Sequence, residues 1–558
     1  MSRPGLESII NSSRSGERVP RSLSRRSFMA LSGTSAAALA FNLPDVASAG
    51  TRAGRFQDYP FSLGVASGDP LPDSVVLWTR LAPEPLSSSG GMGDARVPVQ
   101  WQVAEDENFA QVVRSGIAMA HREVVHSVHV DVKGLSPGRE YFYRFKAGRE
   151  ISPVGRTKTA PEPGSTTTTL RFAAAACQAW YDGYYTAYRH LADEDLDFVL
   201  HLGDYLYEYS VWTRGGRPDV ELPDKYDRVT MTLSDYRDRY ALYKLDPDLQ
   251  AAHAAAPWIV SWDDHEVVNN YMGDTDHRGT PPEEFLVRRA NAYRAYWEHQ
   301  PLRVPAPDGP DMRLYRRFTF GDLIEFNVLD FHQYGDAFAC GGGVHVDCEE
   351  RLDPSRTILG DAQETWLLDG LSRSSARWNV LAQQRMMSQL MRETDAGLAI
   401  PMTYWDGYQP ARDRIFNAFQ DFGVSNPISL SGDLHRSVAG ELKEDFDDPD
   451  SATIGSEYEI SSISSGEDGS DIDRFGENIM RSNAHLKFYN SQRGYVRFTA
   501  TSDEWRADYR IVPYVREEDA PVSTRASLLT EDGRPGVEII DENEPQGTLY
   551  GLEEDPAD

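Results

Sequence analysis

The chain has 558 residues and a formal net charge of −31; it is 40% hydrophobic, with 11 Trp and 27 Tyr. A charge of that sign excludes a surface built to hold nucleic acid and suits divalent cations, while the length predicts more than one domain. Three cysteines in the whole chain exclude a disulfide scaffold.

Residues 1–49 read as an address. Ser24-Arg25-Arg26-Ser27-Phe28-Met29 places paired arginines ahead of the mildly apolar run 30–43, and Ala47-Ser48-Ala49 supplies a small-residue cleavage pattern. That run is too short for a membrane span, and no later segment approaches one, so no transmembrane anchor is expected. The segment resembles twin-arginine signals. This implies the twin-arginine export machinery as a partner and a secreted protein, extracellular or periplasmic.

Residues 57–160 read as all-β. Runs 74–80, 97–103 and 127–132 are short, β-branched and partly alternating, and a Pro-Gly turn at 137–138 leads into the aromatic strand 139–145. The pattern resembles a small fibronectin type III-like sandwich, with its histidines expected at the surface. A Pro, Gly and Thr-rich link follows at 159–169.

From 168 to 530, apolar strand-like runs alternate with helix-like segments at 185–193, 283–299 and 361–372, which predicts a large α/β domain. Residues 531–558 are expected to form a loosely held acidic tail. Six apolar runs end in groups that bind metals or phosphate. Run 172–176 ends in Cys177-Gln178, and 196–200 in His201-Leu202-Gly203-Asp204-Tyr205-Leu206-Tyr207-Glu208. Run 258–262 ends in Asp263-Asp264-His265-Glu266, with Asn269 and Asn270 beyond. Run 324–329 ends in Asp330, followed by His332, Gln333 and Tyr334; run 378–382 ends in Gln383-Gln384; run 428–430 ends in Ser431-Gly432-Asp433-Leu434-His435. If these strands share a sheet, their ends converge on one rim, where α/β proteins gather ligands. A phenol and a carboxylate suit a hard, highly charged ion such as ferric iron.

Cys340 and Cys348 flank a Gly-rich stretch and can close a small disulfide loop in an oxidising compartment. Cys177 is then the odd thiol, read either as a metal ligand or as a buried structural cysteine.

Taken together, the motifs resemble the alkaline phosphatase D family within the calcineurin-like metallophosphoesterases. They are Ser62-Leu63-Gly64-Val65-Ala66-Ser67-Gly68-Asp69-Pro70, the 201–208 and 431–435 segments, Trp262-Asp263-Asp264-His265-Glu266-Val267, Trp405-Asp406-Gly407-Tyr408 and Asp519-Ala520-Pro521-Val522-Ser523-Thr524-Arg525-Ala526-Ser527. The resemblance implies a metallophosphoesterase β-sandwich flanked by helices, holding Fe3+ and Ca2+. By similarity, Cys177, Asp204, Tyr207 and His435 hold the iron. Asp204 bridges to calcium, with Asn269, Asp433 and Asp264 as further ligands. Gln383 and Gln384 stand, in order along the chain, where related enzymes carry a histidine ligand. The implied activity is hydrolysis of phosphate monoesters and diesters by a hydroxide on the metal, with His265 protonating the leaving group, His332 and Tyr334 touching the substrate and His201 bracing the site.

One departure stands out. Many family members show Asp-Thr-Arg-Gln-Tyr where this chain has Asp330-Phe331-His332-Gln333-Tyr334. Loss of a bidentate arginine predicts appreciable diesterase activity. Secreted bacterial phospholipases D resemble the same family, so release of phospholipid head groups is an alternative, and a non-catalytic surface-binding protein is the rival from another class.

Overall fold

Alternation along short strands sets the plan of the molecule, because successive side chains leave opposite faces of a sheet. The computed structural model describes residues 56–211, 217, 220–448 and 450–551. The arginine pair and the cleavage pattern lie outside the described residues.

Phe172, Phe198 and Phe498 point to one face of a ten-stranded sheet, where Phe172 stacks on Phe198 and Phe498 with centroids 4.9 and 5.0 Å apart. They meet Phe326 and Trp378 of a seven-stranded sheet across a shared core, with Phe172 edge-on to Phe326 at 5.2 Å. On the outer face of the first sheet, Ala173, Val199 and Trp258 pack against helices Thr186–Ala192, Leu233–Lys244, Pro247–Ala255 and Pro282–His299. Helices Gly360–Leu371 and Gln409–Asp421 cover Leu381 on the outer face of the second. The result is a helix–sheet–sheet–helix sandwich.

The six strand ends therefore do not share one sheet. Thr169–Ala175, Phe198–His201 and Trp258–Val260 run parallel in the first sheet, and Ile324–Val328, Trp378–Ala382 and Pro427–Ser431 run parallel in the second. Both triplets are buried on two faces, so their local sequences do not distinguish one parallel sheet from two facing ones.

The amino-terminal module is also less separate than its sequence suggests. Val65–Leu71, Ser74–Arg80 and Ser127–Lys133 extend the first sheet through a single parallel pairing of Gly68 with Trp258. Val112–Ala120, Val97–Ala104 and Glu140–Ala147 form the facing sheet of the module, with Val75, Leu77, Tyr143 and Phe145 between them. Its histidines are not all at the surface. His126 is buried, and His129 stacks on Trp297 at 4.3 Å while its Nε2 donates to the carbonyls of Trp297 and Gln300.

The segment expected as a loose tail is largely ordered. Arg534–Glu542 adds an edge strand to the first sheet, and Thr548–Gly551 pairs in parallel with Ser470–Asp473. Cys340 and Cys348 form a disulfide, and Cys177 is free and buried. Among the described residues, no helix is long and apolar enough to cross a membrane.

Candidate metal centre

At the carboxyl ends of the parallel strands the chain turns sharply. Cys177, Asp204, Asn270, Asp433 and His435 all take positive φ, between 52° and 66°. Non-glycine residues pay of order 1–3 kcal/mol for such backbone, and it persists where the surroundings enforce it. The enforcing contacts are visible. Cys177 N–H donates to the Gly203 carbonyl and Gln178 N–H to that of Asp204, at 3.0 Å each. Gly203 has φ 117°, and a Cβ there would lie 2.5 Å from Asp263 Cβ, so the loops after the second and third strands touch.

Four unlike donors meet in the first half of the site. Tyr207 Oη lies 2.8 Å from Asp204 Oδ2 and 2.9 Å from His435 Nε2, and Cys177 clusters with Asp204 and His435. Burial first, then Arg493 and Arg436, keep the His435 imidazole neutral, its pKa well below the usual value. Burial first, then the Asp204 carboxylate, push the Cys177 thiol and the Tyr207 phenol well up. A cation is what would turn both into anionic ligands.

The second half is carboxylate-rich. Asp263, Asp264 and Asp433 offer oxygens within 4.8 Å of one another, and Asp204 with Asp264 and His265 joins the halves. Asp263 Oδ2 and Asp264 Oδ1 are buried without a hydrogen-bond partner among the described residues. Orphaned, buried carboxylate oxygens beside a thiol, a phenol and an imidazole are a donor set that fits two cations, one taking softer ligands and one taking oxygens.

Each expected residue has a place in this geometry. His265 Nδ1–H donates to Glu208 Oε2 at 2.6 Å, and its ring lies 4.2 Å from that of Tyr207. Burial opposes charge on His265, but Glu208, Asp264 and Asp204 together hold its pKa well above the ordinary value. The backbone N–H of Asn269 donates to Glu208 Oε1 at 3.0 Å, that of Asn270 donates to Asp264 Oδ2 at 2.6 Å, and the Asn270 side-chain Oδ1 accepts from Arg385.

His332 and Tyr334, expected to touch the substrate, are each packed against neighbouring side chains. His332 is buried, donating from Nδ1 to the Tyr271 carbonyl at 2.7 Å and from Nε2 to Asp263 Oδ1 at 2.5 Å. With both nitrogens donating it is an imidazolium that braces Asp263. Tyr334 packs edge-on to Tyr315 at 5.7 Å. His201 stacks on Trp258 at 5.8 Å. Gln383 donates to Ser429 and accepts from Trp405, and Gln384 donates to Ser261.

Besides Asp263, which joins the carboxylate cluster, three residues that organise the site escaped the sequence reading. Glu266 accepts the backbone N–H groups of Asp204, Tyr205 and Asp263 at 3.1, 2.5 and 2.9 Å, tying two strand-end turns together. Glu208 orients His265. Arg385 sends Nη1 to Asp433 Oδ2 at 2.6 Å and Nη2 to Asp264 Oδ2 and Asn270 Oδ1 at 3.2 Å each. Glu208 and Glu266 stood inside the motifs already singled out, so acidic residues within two of a ligand were a usable signal. Arg385 had only its place directly after a strand end.

Comparison with known proteins identifies the family. The family model described as PhoD-like phosphatase matches residues 172–509, and that described as PhoD-like phosphatase, N-terminal domain, matches residues 46–161. Alkaline phosphatase D of Bacillus subtilis (strain 168) is 47% identical over 511 residues, spanning 89% of this chain and 85% of that protein. A solved structure described as "Structure of PhoD" superposes with a TM-score of 0.86 at 47% identity, covering 89% of this chain and 96% of the other. The chain belongs to the PhoD-like phosphatase family.

Proposed function

We propose that this chain is a metal-dependent phosphoric ester hydrolase, exported through the twin-arginine pathway, with iron and calcium in the two halves of its centre. Membership of a phosphatase family supports the activity. The observation that carries the metal assignment is the meeting of Cys177, Asp204, Tyr207 and His435 around one point. On this reading these four would hold the iron, and Asp204, Asp264, Asn269 and Asp433 the calcium. When bound, the cations supply Lewis acidity toward the phosphoryl oxygens and activate the attacking water.

The chain's own residues supply the rest. Asp204 presents oxygens to both halves and is fixed by its backbone N–H on Glu266. With Nδ1–H committed to Glu208, His265 keeps its second proton at Nε2 and can donate it to the departing oxygen. His332 and Glu266 hold Asp263 and the two turns in register, so the site is organised before substrate arrives.

The diesterase preference expected from His332 loses its support, because both ring nitrogens already serve the fold. Nothing in the geometry favours a phospholipid over a simple phosphate ester.

Metal analysis of correctly exported protein tests the centre, with bound iron and a visible charge-transfer band from Tyr207 and Cys177 as the expected result. Zinc at full occupancy without iron would refute it. Turnover of an aryl phosphate monoester, an aryl diester and phosphatidylcholine tests the activity; hydrolysis of none would sink the phosphoesterase reading.

A further inference from the structure

Arg385 stands in an unusual place for a fixed positive charge. Its guanidinium is buried, and its three hydrogen-bonded partners, Asp433 Oδ2, Asp264 Oδ2 and Asn270 Oδ1, are all oxygens of the kind that calcium takes. Among the described residues Nε has no hydrogen-bond partner, and it lies 3.8 Å from Asp263 Oδ1. The guanidinium therefore touches or approaches every acidic side chain of the second half.

The backbone that carries it is firmly held. The Gln384 carbonyl accepts Gly432 N–H at 3.0 Å, and the N–H groups of Met387 and Ser388 donate to buried Glu457 at 2.6 and 2.8 Å. The loop is pinned on both sides of Arg385, so any movement belongs to its long side chain. That side chain runs beside Tyr404, whose ring centre is 5.7 Å from the guanidinium carbon, which gives it an aromatic surface to lie along.

Charge and contact lead to the same conclusion. Asp263, Asp264 and Asp433 bring three carboxylates to one buried spot, and Arg385 with the Asp263-bound His332 opposes them from within the chain. An oxygen whose lone pairs face a guanidinium cannot face a divalent cation in the same geometry, and two cations at contact distance repel.

We propose that Arg385 is a built-in counter-cation of the second half, which holds its carboxylates together without calcium and competes with calcium for the same oxygens. The proposal rests on the calcium reading given above and adds that loading is an exchange, in which the guanidinium leaves Asp433 and Asp264, the two residues it shares with that calcium set, as the ion arrives. Arg385 is a positioning residue in this account, and its neutralisation should strengthen calcium binding rather than weaken it.

The test is a calorimetric titration of iron-loaded protein, stripped of calcium with a chelator, with calcium chloride. R385Q should bind calcium about tenfold or more tightly than wild type, the scale expected when one close, buried like charge is removed. R385K keeps the charge but loses the fork, and should fall between the two; it carries the test if R385Q does not fold. Melting temperatures give a second readout: calcium-free R385Q should melt below wild type, and the gap should close at saturating calcium. Unchanged or weaker binding in the folded variants would overturn the proposal and leave the calcium reading standing. Absence of calcium binding in wild type, with iron and ester hydrolysis intact, would overturn both this proposal and the calcium assignment, but not the phosphoesterase reading.

Discussion

In the half of the centre made by Cys177, Asp204, Tyr207 and His435, a thiol, a phenol and a neutral imidazole surround one carboxylate, and the nearby Arg239, Arg436 and Arg493 donate to backbone carbonyls of Tyr207 and His435. In the half made by Asp263, Asp264 and Asp433, three carboxylates meet Arg385 and His332. The difference teaches how the same fold prepares two kinds of ligand cluster. Neutral donors can wait for a cation, since burying them costs little charge. Three carboxylates cannot, because buried like charges must be compensated by something the chain itself supplies.

The largest effect should come from the residue that belongs to both halves. Asp204→Asn keeps the size of the side chain and a residue type that tolerates positive φ, so the fold should survive. Turnover should nonetheless fall by more than about a hundredfold, the upper range for residues that only brace a ligand. Near wild-type turnover in the metal-replete variant would remove Asp204 from the centre.

Glu266 tests whether the halves depend on a shared support. Glu266→Ala would leave three buried N–H groups without an acceptor, each worth roughly 1–3 kcal/mol. A severe loss in denaturant midpoint is expected, with both metals lost together; Glu266→Gln should be milder. Loss of one metal alone would show that the two turns are held independently.

His332 should matter less, and to one half only. His332→Gln removes the ring that fixes the orientation of Asp263 from behind, away from the oxygens assigned to calcium, and the loss of that bracing should lower calcium affinity or turnover by about 10–100-fold while iron content stays unchanged. An altered monoester-to-diester ratio, with metal content unaffected, would instead restore His332 as a substrate contact.

The smallest effect expected is an acid sensitivity on the second-sheet side. His485 donates from Nε2 to the Gln389 carbonyl, and burial depresses its pKa to about 4 from the ordinary 6.5. Its folded form resists protonation, so the unfolded chain takes up the proton first. The contribution of neutral His485 is full above pH 6.5, declines as pH falls and is exhausted below about 4. His485→Gln should flatten the pH dependence of the melting temperature across that window; parallel curves for variant and wild type would refute the assignment.

Much of this architecture is legible from residues next to one another. The apolar runs ending in Cys177, Asp204, Asp264 and Asp433 mark the strands, and the helices at Thr186–Ala192, Pro282–His299 and Gly360–Leu371 lie within a residue of their expected bounds. Family resemblance, rather than spacing, joined Cys177, Asp204, Tyr207 and His435 into one set. The acidic stretch after 531 misled because composition suggests disorder, whereas an edge strand such as Arg534–Glu542 needs backbone pairing and can leave most of its side chains exposed.

The sequence by itself determined which donor types stand at the strand ends, since a strand's periodicity and the turn after it are written in contiguous residues. Only the tertiary structure decided that the ends lie on two facing sheets, that His332 is a brace and that Arg385 sits among the carboxylates. Tyr207 meets His435 across 228 positions and Arg385 meets Asp264 across 121. The role of a charged side chain is set by the groups it faces in a buried, low-dielectric space, and chain folding alone chooses those groups.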